Sequence, residues 1–444
     1  MNISTTITNK GYTILWNGKR FPVVYPHLVW KKMPTETTHI LVDNLAYIQT
    51  SEMPYLLNEG QIEYNSGEPF LRPIYFKGEL QHLPFACDID HTNAFSALKK
   101  FLKIKYSFSQ PMKLPSRSFR TEEKAIISLT FGKDSMISYA LAQELELNPV
   151  GVAALEGGLP FENAHRQVLM KKFSKEFHTN VHAITDGTVD LCDAKYHNIK
   201  TQFGHANTLS GYALLLLPFN HYERARYTIL GNEQSCNDYY ITKQKFKAFP
   251  VYDQTALFTK QCDIITKLMT RGSVSTLSLI EPIHEMAIMK ILHHRYPHYA
   301  KYQMSCFPDD HADGKTNRWC QHCSKCARMI MFAHALGIDM NTLGISHDML
   351  DRGSLSYFSL FGAKGDVSFD ISGCGRDEQL LAFYLAYKKG VRGYLIDLFK
   401  KRHYHEAKTR EDELMKNFFS VHSMSTIPLH LRNPLKSILN EELQ

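Results

Sequence analysis

The sequence lacks the long apolar runs of a membrane protein and the signals of a secreted one. Its longest apolar run, residues 213–219, is far too short to span a bilayer and is interrupted by Pro218. The first residues show no basic segment followed by an apolar one, so we expect no secretory signal. Nine cysteines, four of them clustered, fit a metal site in a reducing cytosol better than a disulfide framework. We therefore expect a cytoplasmic protein without a membrane partner.

A strong charge imbalance is absent as well. The 444 residues carry a formal net charge of +7, with 21% charged and 44% hydrophobic side chains. This composition indicates a globular protein, long enough for two or three domains, and excludes a disordered chain. The mild positive charge permits an anionic ligand such as a nucleotide, a nucleotide-sugar or RNA, but it does not require nucleic acid.

The most informative stretch is residues 129–135, which read Leu-Thr-Phe-Gly-Lys-Asp-Ser. A short, partly β-branched apolar run precedes it, as is typical of a buried parallel strand, and apolar residues at helical spacing follow it. The unpaired N–H groups at the start of such a helix favour anions, whereas an ordinary strand–turn–helix would need no ligand. The residues that favour a phosphate are flexible, hydroxyl-bearing or charged: Thr130, Gly132, Lys133, Asp134 and Ser135.

The stretch is not a Walker A loop, because the four residues between two glycines are missing. It resembles instead the PP-loop of the ATP pyrophosphatases, usually Ser-Gly-Gly-x-Asp-Ser, with Phe131 in place of the first Gly. The resemblance implies that the loop grips the pyrophosphate leaving ATP, while Mg²⁺ on Asp134 offsets its charge. The residues implied to bind ATP are Thr130, Phe131, Gly132, Lys133, Asp134, Ser135, Ala154 and Leu155, of which Lys133 and Asp134 are also implied to be catalytic.

Strands and helices alternate from about residue 121 onward, which predicts a doubly wound parallel sheet. The PP-loop resemblance implies the adenine nucleotide alpha hydrolase-like version of that sheet. Strands are expected at residues 125–129, 150–155, 181–184, 227–230 and 277–280. Ligands of such sheets bind beyond the carboxyl ends of the strands. Glycine-rich or polar clusters fall at those ends, at residues 130–135, 156–158, 185–186 and 231–237.

The polar run after the fourth strand predicts substrate or Mg²⁺ contacts, the alternative being a plain surface loop. The residues concerned are Glu233, Gln234, Ser235 and Asn237. Two thiols are candidate catalytic bases, because a thiol with a lowered pKa can take a proton. They are Cys236 in this run and Cys374 between two glycines, where a plain turn before a helix is the alternative.

Four cysteines predict a metal centre. Cys306 is followed, after 13 residues, by Cys320, Cys323 and Cys326 at CxxC spacings. Four thiolates select Zn²⁺ or an iron–sulfur cluster, and we expect structural zinc because no redox role is indicated. A nearby histidine in place of one thiolate, or four buried free thiols, are the alternatives.

The remaining sequence predicts three parts: residues 1–118, 119–335 and 336–444. The first is expected to be a β-rich domain that covers the substrate, the second the PP-loop domain with the four-Cys site, and the third a helical region. Expected N-terminal elements are strands at 12–16, 21–25, 39–42 and 74–76 and a helix at 94–104. Expected C-terminal helices lie at 379–389, 391–401 and 410–418, with a turn at 372–377.

Within the PP-loop enzymes, residues 121–335 resemble the 7-cyano-7-deazaguanine synthases, which adenylate a carboxylate and share a Ser-Cys followed by CxxCxxC. The full chain of 444 residues is longer than those synthases. In size and domain layout it is similar to the UDP-N-acetylmuramoyl-L-alanyl-L-glutamate epimerases. That resemblance implies an anionic, carboxylate-bearing UDP-sugar peptide as substrate, whose terminal L-Glu becomes D-Glu as ATP yields AMP and pyrophosphate. Deazaguanine chemistry, tRNA modification and a non-enzymatic nucleotide-binding module are the alternatives.

Overall fold

The computed structural model describes residues 1–362 and 372–443. The strands are β1 (Asn2–Thr8), β2 (Gly11–Trp16), β3 (Lys19–Val24), β4 (Gln61–Gly67), β5 (Lys105–Gln110), β6 (Glu122–Ser128), β7 (Val150–Glu156), β8 (Val181–Asp186), β9 (Ala225–Ile229), β10 (Tyr240–Ile241), β11 (Lys247–Ala248) and β12 (Ser275–Leu277). The helices of the first two parts are α1 (His27–Lys31), α2 (Thr35–Ile48), α3 (Met53–Leu56), α4 (Arg72–Ile89), α5 (Ala94–Leu102), α6 (Lys133–Glu144), α7 (Pro160–Phe177), α8 (Val189–Cys192), α9 (Thr208–Leu215), α10 (Leu217–Glu223), α11 (Ala256–Met269), α12 (Glu285–His294), α13 (Pro297–Ala300) and α14 (Ser324–Leu336). The helices that follow are α15 (Met340–Leu343), α16 (Gly373–Lys388), α17 (Tyr394–Arg402), α18 (Tyr404–Thr409), α19 (Glu411–Phe418) and α20 (Leu429–Leu443).

Ten strands form one mixed, largely parallel sheet in the order β12-β9-β6-β7-β8-β3-β2-β1-β4-β5. The half from β12 to β8 is parallel throughout, and β3 joins it antiparallel to β8. The chain first fills one side of β6 with β7 and β8, and then returns to place β9 and β12 on the other side. The strand order therefore reverses between β6 and β9, which is where open α/β sheets bind ligands.

The central strand β6 is buried on both faces. Ala125 and Ile127 pack into a core shared with α6, α12 and α20, whereas Ile126 packs into a second core with residues of α2 and α9. Alternate side chains of a strand point to opposite faces, so an apolar run of this kind needs cover on both. This cover holds the loop after β6 on a rigid base.

The predicted strands and helices around the loop are confirmed, with bounds that shift by a few residues. The hairpin of β2 and β3 is also confirmed, and its turn residues Asn17 and Gly18 both have positive φ (49° and 74°), as the favoured two-residue turn requires. A fifth parallel strand is present at Ser275–Leu277, so only Leu277 of the expected residues 277–280 belongs to it.

The prediction of a mostly β N-terminal part is wrong. Residues 39–42 and 74–76, expected as strands, lie inside the helices α2 and α4. A short apolar run reads alike in a buried strand and a buried helix, and α2 is buried on most of its surface. The residues between 1 and 118 form five strands and five helices, and the division into three domains stays a prediction.

The described residues after 336 are mostly helical, as predicted, but the turn expected at residues 372–377 is wrong. Helix α16 begins at Gly373, with the Ser372 hydroxyl accepting the Gly375 N–H at 2.9 Å as an N-cap. The Glu281 carboxylate accepts four hydrogen bonds of 2.5–2.9 Å from the N–H and hydroxyl groups of Ser425 and Thr426. These bonds fasten the C-terminal segment to the loop before α12.

None of the helices in residues 1–362 and 372–443 has the length and apolarity that a membrane crossing requires.

Candidate functional site

The loop of residues 129–135 joins β6 to α6, as the sequence predicts. The Thr130 hydroxyl accepts the Gly132 N–H at 3.3 Å and donates to the Ser135 hydroxyl at 3.2 Å, which in turn donates to the Gly132 carbonyl at 3.1 Å. Helix α6 starts at Lys133, so the N–H groups of its first turn have no acceptor within the helix. These N–H groups and the positive end of the helix dipole favour an anion.

Phe131, which replaces the first Gly of the PP-loop pattern, has the backbone conformation of a glycine. Its φ is 62°, in the left-handed region, and its carbonyl accepts the Met304 N–H at 2.7 Å. The ring is fully buried and packs edge-on against Phe173, with centroids 5.9 Å apart. The left-handed backbone costs about 1–2 kcal/mol, which the burial of the ring, about 1.5–3 kcal/mol, offsets. The loop therefore keeps a glycine-like path.

A cavity of about 640 Å³ opens beside the loop, within the range of small-molecule sites. Glu156 at the end of β7 and Asn232 after β9 line it together with Thr130, Lys133 and Ser135, so it lies at the carboxyl ends of the strands. The loop after β9 approaches the start of α6 so closely that a Cβ on Gly231 would lie 2.9 Å from the Asp134 Cβ. Only a glycine fits this approach without movement.

Lys133 does not extend freely into the cavity. Its ammonium lies 2.6 Å from Asp134, 2.9 Å from Glu285 and 3.9 Å from Glu233, and the residue is 4% exposed. These carboxylates, together with Glu378 behind them, are called the carboxylate cluster below. The arrangement differs from the expected one, in which the Lys133 ammonium contacts the leaving pyrophosphate directly.

The carboxylate cluster holds its members in different protonation states. Burial alone would raise the pKa of Glu285, but Arg328 and Lys133 lower it to about 2. Burial and the neighbouring Glu285 raise the pKa of Glu378 to about 8, and burial raises the pKa of Glu233 well above its usual value. Glu285 is thus the anion that pairs with the buried cations, while Glu378 binds a proton at neutral pH.

The lining of the cavity carries more carboxyl groups than cations. The cations are Lys133, Arg166, Lys195, Lys325 and Arg328, and the carboxyl groups are Asp134, Glu156, Glu162, Asp253, Glu285, Asp309 and Asp310. Burial raises the pKa of Glu156 to about 7, so this group is partly protonated at neutral pH. An anionic guest therefore fits this lining best when it brings a divalent cation.

The four predicted metal ligands come together. The Sγ atoms of Cys306, Cys320, Cys323 and Cys326 all lie within 4.8 Å of one another, and all four residues are buried. The Cys306–Cys326 and Cys320–Cys326 Sγ distances are 3.3 and 3.9 Å, close to the roughly 3.8 Å edge of a tetrahedral zinc site with 2.3 Å Zn–S bonds. His322 instead contacts Asp313, at 2.9 Å. The cluster can hold a metal ion such as zinc.

The four-Cys cluster also brings residues to the loop that sequence reasoning did not identify. Ser305, next to Cys306, accepts the Lys133 N–H at 3.0 Å. Lys325 and Arg328, on the helix that starts within the CxxCxxC segment, line the cavity, and Arg328 Nε lies 3.3 Å from Glu285. A metal at the cysteines would therefore fix three groups around the anion site. The spacing of Lys325 and Arg328 on one helical face was the available signal.

No family model matches the chain, and no curated protein matches it either.

Several predicted residues lie outside the cavity wall. Glu156, and not Ala154 or Leu155, represents β7 in the lining, so adenine contacts of those two residues stay a prediction. Asn237 caps α11, where its Oδ1 accepts the Ala256 N–H at 2.8 Å. The Gln234 N–H donates to the Ile283 carbonyl at 3.1 Å. The Asn237 side chain thus has a structural role, whereas the substrate contacts predicted for Glu233, Gln234 and Ser235 stay a prediction.

A second polar group lies next to the carboxylate cluster. His284 Nδ1 is 2.8 Å from the Ser235 hydroxyl and 3.8 Å from the Cys374 Sγ. We call Ser235, His284 and Cys374 the thiol cluster. Cys236 is the other predicted base. Its Sγ contacts Gln254 Oε1, at 3.7 Å, and not His284.

Proposed function

We propose that this protein is an ATP pyrophosphatase of the PP-loop type that activates a carboxylate as its acyl-adenylate. The observation that carries the proposal is the loop of residues 130–135, which starts α6 at the edge of a cavity beside the reversal of strand order. That position is the nucleotide site of a doubly wound sheet of the adenine nucleotide alpha hydrolase-like type, which the order of β12 to β8 supports.

The charge pattern supports a nucleotide bound with Mg²⁺. Asp134 and Glu285 offer carboxylate oxygens in the cavity, and Glu233 Oε2 is buried with no hydrogen-bond partner among the described residues. Oxygen ligands of this kind suit Mg²⁺, which usually shares its coordination between one or two carboxylates and phosphates. The ion would neutralise the charge that develops on the leaving pyrophosphate.

The protein groups then have distinct tasks. A substrate carboxylate oxygen attacks the α-phosphorus of ATP, the bond to the β-phosphate oxygen breaks, and pyrophosphate leaves. We expect the first-turn N–H groups of α6 other than that of Lys133, which binds Ser305, to hold the departing anion together with Lys325 and Arg328. Lys133 forms ion pairs with Asp134 and Glu285 and so orients their carboxylates. It does not act as a free cation that binds phosphate by itself.

The substrate we propose is UDP-N-acetylmuramoyl-L-alanyl-L-glutamate, whose terminal glutamate would be epimerised. Converting its α-carboxylate to an acyl-adenylate acidifies the α-C–H, so that a base can remove the proton and an acid can return it on the other face. Water then releases AMP and the D-Glu product. The proposal rests on the form of the loop and on the helical part after residue 336, whose Glu378 lies next to the carboxylates that surround Lys133.

The experiment is direct. Purified protein with ATP, Mg²⁺ and the UDP-sugar dipeptide is expected to release AMP and pyrophosphate in equal amounts and to form a D-Glu product. Asp134→Ala should abolish turnover, whereas Asp412→Ala, an exposed carboxylate on α19, should not. Full activity of Asp134→Ala would show that the loop does not hold the nucleotide or its metal ion.

The alternatives give different outcomes in the same assay. Pyrophosphate release with 7-carboxy-7-deazaguanine and ammonia, and not with the dipeptide, would indicate a nitrile or amide synthase. A requirement for tRNA, with affinity that falls steeply as salt rises, would indicate tRNA modification. Nucleotide binding without any pyrophosphate release against a panel of carboxylates would indicate a binding module.

A further inference from the structure

A second, smaller cavity adjoins the one beside the loop. Its volume is about 200 Å³, and Glu156, Thr208 and Tyr212 line both cavities. It lies at the carboxyl ends of β7 and β8, where Ile48 at the end of α2 also lines it. We call it the side cavity. The proposed adenylation of a carboxylate does not involve it.

Three carboxyl groups line the side cavity without a basic partner in its wall. They belong to Glu52, Glu156 and Asp186, and the described residues of the lining include neither a lysine nor an arginine. The wall also carries His205, but burial lowers the pKa of this imidazole, so it is neutral at physiological pH. Burial raises the pKa of all three carboxyl groups. The side cavity therefore lacks the positive charge that would balance its acids.

Two of these carboxyl groups stand side by side. Glu156 and Asp186 are paired residues of the parallel strands β7 and β8, so their side chains leave the sheet on the same face. The Tyr212 hydroxyl donates to Glu156 Oε1, and the N–H and hydroxyl of Thr188 donate to Asp186 Oδ1 at 2.8 and 2.5 Å. One oxygen of each carboxyl group is thus held in place by the protein.

The second oxygen of Asp186 is the observation that points to a ligand. Asp186 is 1% exposed, and its Oδ2 is buried with no hydrogen-bond partner among the described residues. Leaving such an oxygen without a donor is costly, so buried polar groups are almost always paired. Glu52 differs, because its two oxygens accept the N–H groups of Gly204 and Ala206, at 3.4 and 3.2 Å. The unmet acceptor is therefore on β8, next to Glu156.

The rest of the wall limits what the ligand can be. Ile48, Val189 and Leu215 give the side cavity an apolar part. Its volume is below the range of about 300–1,000 Å³ that is typical of small-molecule sites, so the guest is small. A primary ammonium brings three N–H donors and the positive charge that the cavity lacks, and a short alkyl chain matches the apolar part.

We propose that the side cavity is a binding site for a short-chain primary amine, held as its ammonium ion between Glu156 and Asp186. The alkyl chain of the amine lies against Ile48, Val189 and Leu215. This site goes beyond the proposed function, because activating a carboxylate requires no amine.

The first test measures binding directly. Calorimetry with butylammonium chloride at neutral pH, at constant ionic strength, is expected to show saturable binding to the wild-type protein. Asp186→Asn and Glu156→Gln each keep an oxygen for their internal donor, and each should weaken binding at least about 10-fold. The matched control is Asp412→Asn, an exposed carboxylate on α19, which should bind like the wild type.

The contrary outcomes of this test are equally clear. The inference is overturned if the wild-type protein does not bind butylammonium, or if the folded Asp186 and Glu156 variants both keep full affinity. Equal affinity for 1-butanol, which has the same chain and no charge, would show an apolar pocket that does not recognise an ammonium.

The second test locates the bound amine. Cys192 lines the side cavity, whereas Cys374 lines neither cavity. Saturating butylammonium is expected to slow the reaction of Cys192 with methyl methanethiosulfonate, followed by the mass of its peptide, and to leave the rate at Cys374 unchanged. Equal slowing at both thiols, or at neither, would place the amine elsewhere and overturn the inference. Neither test uses ATP, so neither outcome depends on the proposed function.

Discussion

The ammonium of Lys133 lies 2.9 Å from the carboxylate of Glu285, although the two residues are far apart in the chain. Both side chains are less than a tenth exposed, and Arg328 contacts the second oxygen of the same carboxylate. Two buried cations therefore share one anion at the base of the cavity beside the loop. The stability of the loop and the charge of the site depend on the same contact.

Glu285→Gln removes the negative charge that these cations share. Taking away one partner of a buried ion pair costs about 3–5 kcal/mol, so the free energy of unfolding should fall by that amount in urea. The control is Lys195→Gln, which removes an exposed ion pair with Asp310 and should change the free energy of unfolding by no more than about 1 kcal/mol. Equal stability of the two variants would show that the buried pair contributes no more than a surface pair.

Phe131→Ala should separate stability from ligand binding. Truncating a fully buried Phe costs about 3–5 kcal/mol, because the pocket beside Phe173 is left empty. The ring packs in the core against Phe173 and Phe131 is not part of the cavity lining, so the folded variant should bind ATP like the wild type in calorimetry. Phe131→Leu fills more of the pocket than Phe131→Ala and should lose less stability. A loss of ATP affinity in both folded variants would contradict the placement of the Phe131 ring outside the ligand site.

Gly231→Ala should weaken nucleotide binding with little effect on folding. The added Cβ would lie 2.9 Å from the Asp134 Cβ, so the loop after β9 must move away from the start of α6. We expect at least a 10-fold rise in the Kd for ATP. Gly60→Ala, whose Cβ would meet no atom within 4 Å, is the control and should leave the Kd unchanged.

Cys323→Ser should release the metal and disorder the anion site together. Metal analysis is expected to find about one zinc per wild-type chain and much less in the variant, and visible absorption would reveal an iron–sulfur cluster instead. Because the cluster holds Ser305, Lys325 and Arg328 at the cavity, ATP affinity should fall along with Tm. Cys87→Ser should keep the metal, and a wild-type protein without metal would exclude this centre.

The raised pKa of Glu378 predicts that the free energy of unfolding depends on pH. Its folded-state pKa is raised to about 8, so the folded protein binds a proton that the unfolded chain loses above its ordinary pKa of 4.5. This group therefore contributes less to stability as the pH rises from about 4.5 to about 8. Glu378→Gln, which keeps an oxygen for the Met286 N–H, should decline less over that range in urea unfolding. A parallel decline in both proteins would refute the raised pKa.

The strands and helices around the loop are readable from the sequence because their signals are local. A β-branched run before Thr130 and apolar residues at helical spacing after Ser135 predict β6 and α6 within a few residues. The same local logic fails for residues 39–42, where the apolar run is part of the buried helix α2. Burial on all sides removes the periodicity that distinguishes the two structures.

The residues of the site also fall into two groups: those that a local sequence pattern shows and those that only packing brings together. Residues close together in the chain, such as the three cysteines at CxxC spacing with Cys306 shortly before them and the loop from Thr130 to Ser135, show their chemistry in the sequence. The contacts of Lys133 with Glu233 and Glu285, and that of Arg328 with Glu285, are not readable in this way, because no local pattern links these residues to one another. Long-range packing of β9, α12 and α14 is what brings them together.

The sequence by itself determined that a helix start with a glycine, a lysine and an aspartate follows a buried strand, and that four thiols can meet at one metal. Only the tertiary structure decided that Phe131 takes a glycine-like backbone, that Lys133 is neutralised by distant carboxylates, and that His284 lies beside Cys374. The physical reason is the distance along the chain between the residues that interact. Strand, helix and ligand spacing follow from neighbouring residues, whereas backbone strain and buried charge are stabilised by contacts from elements that the chain brings back from far away.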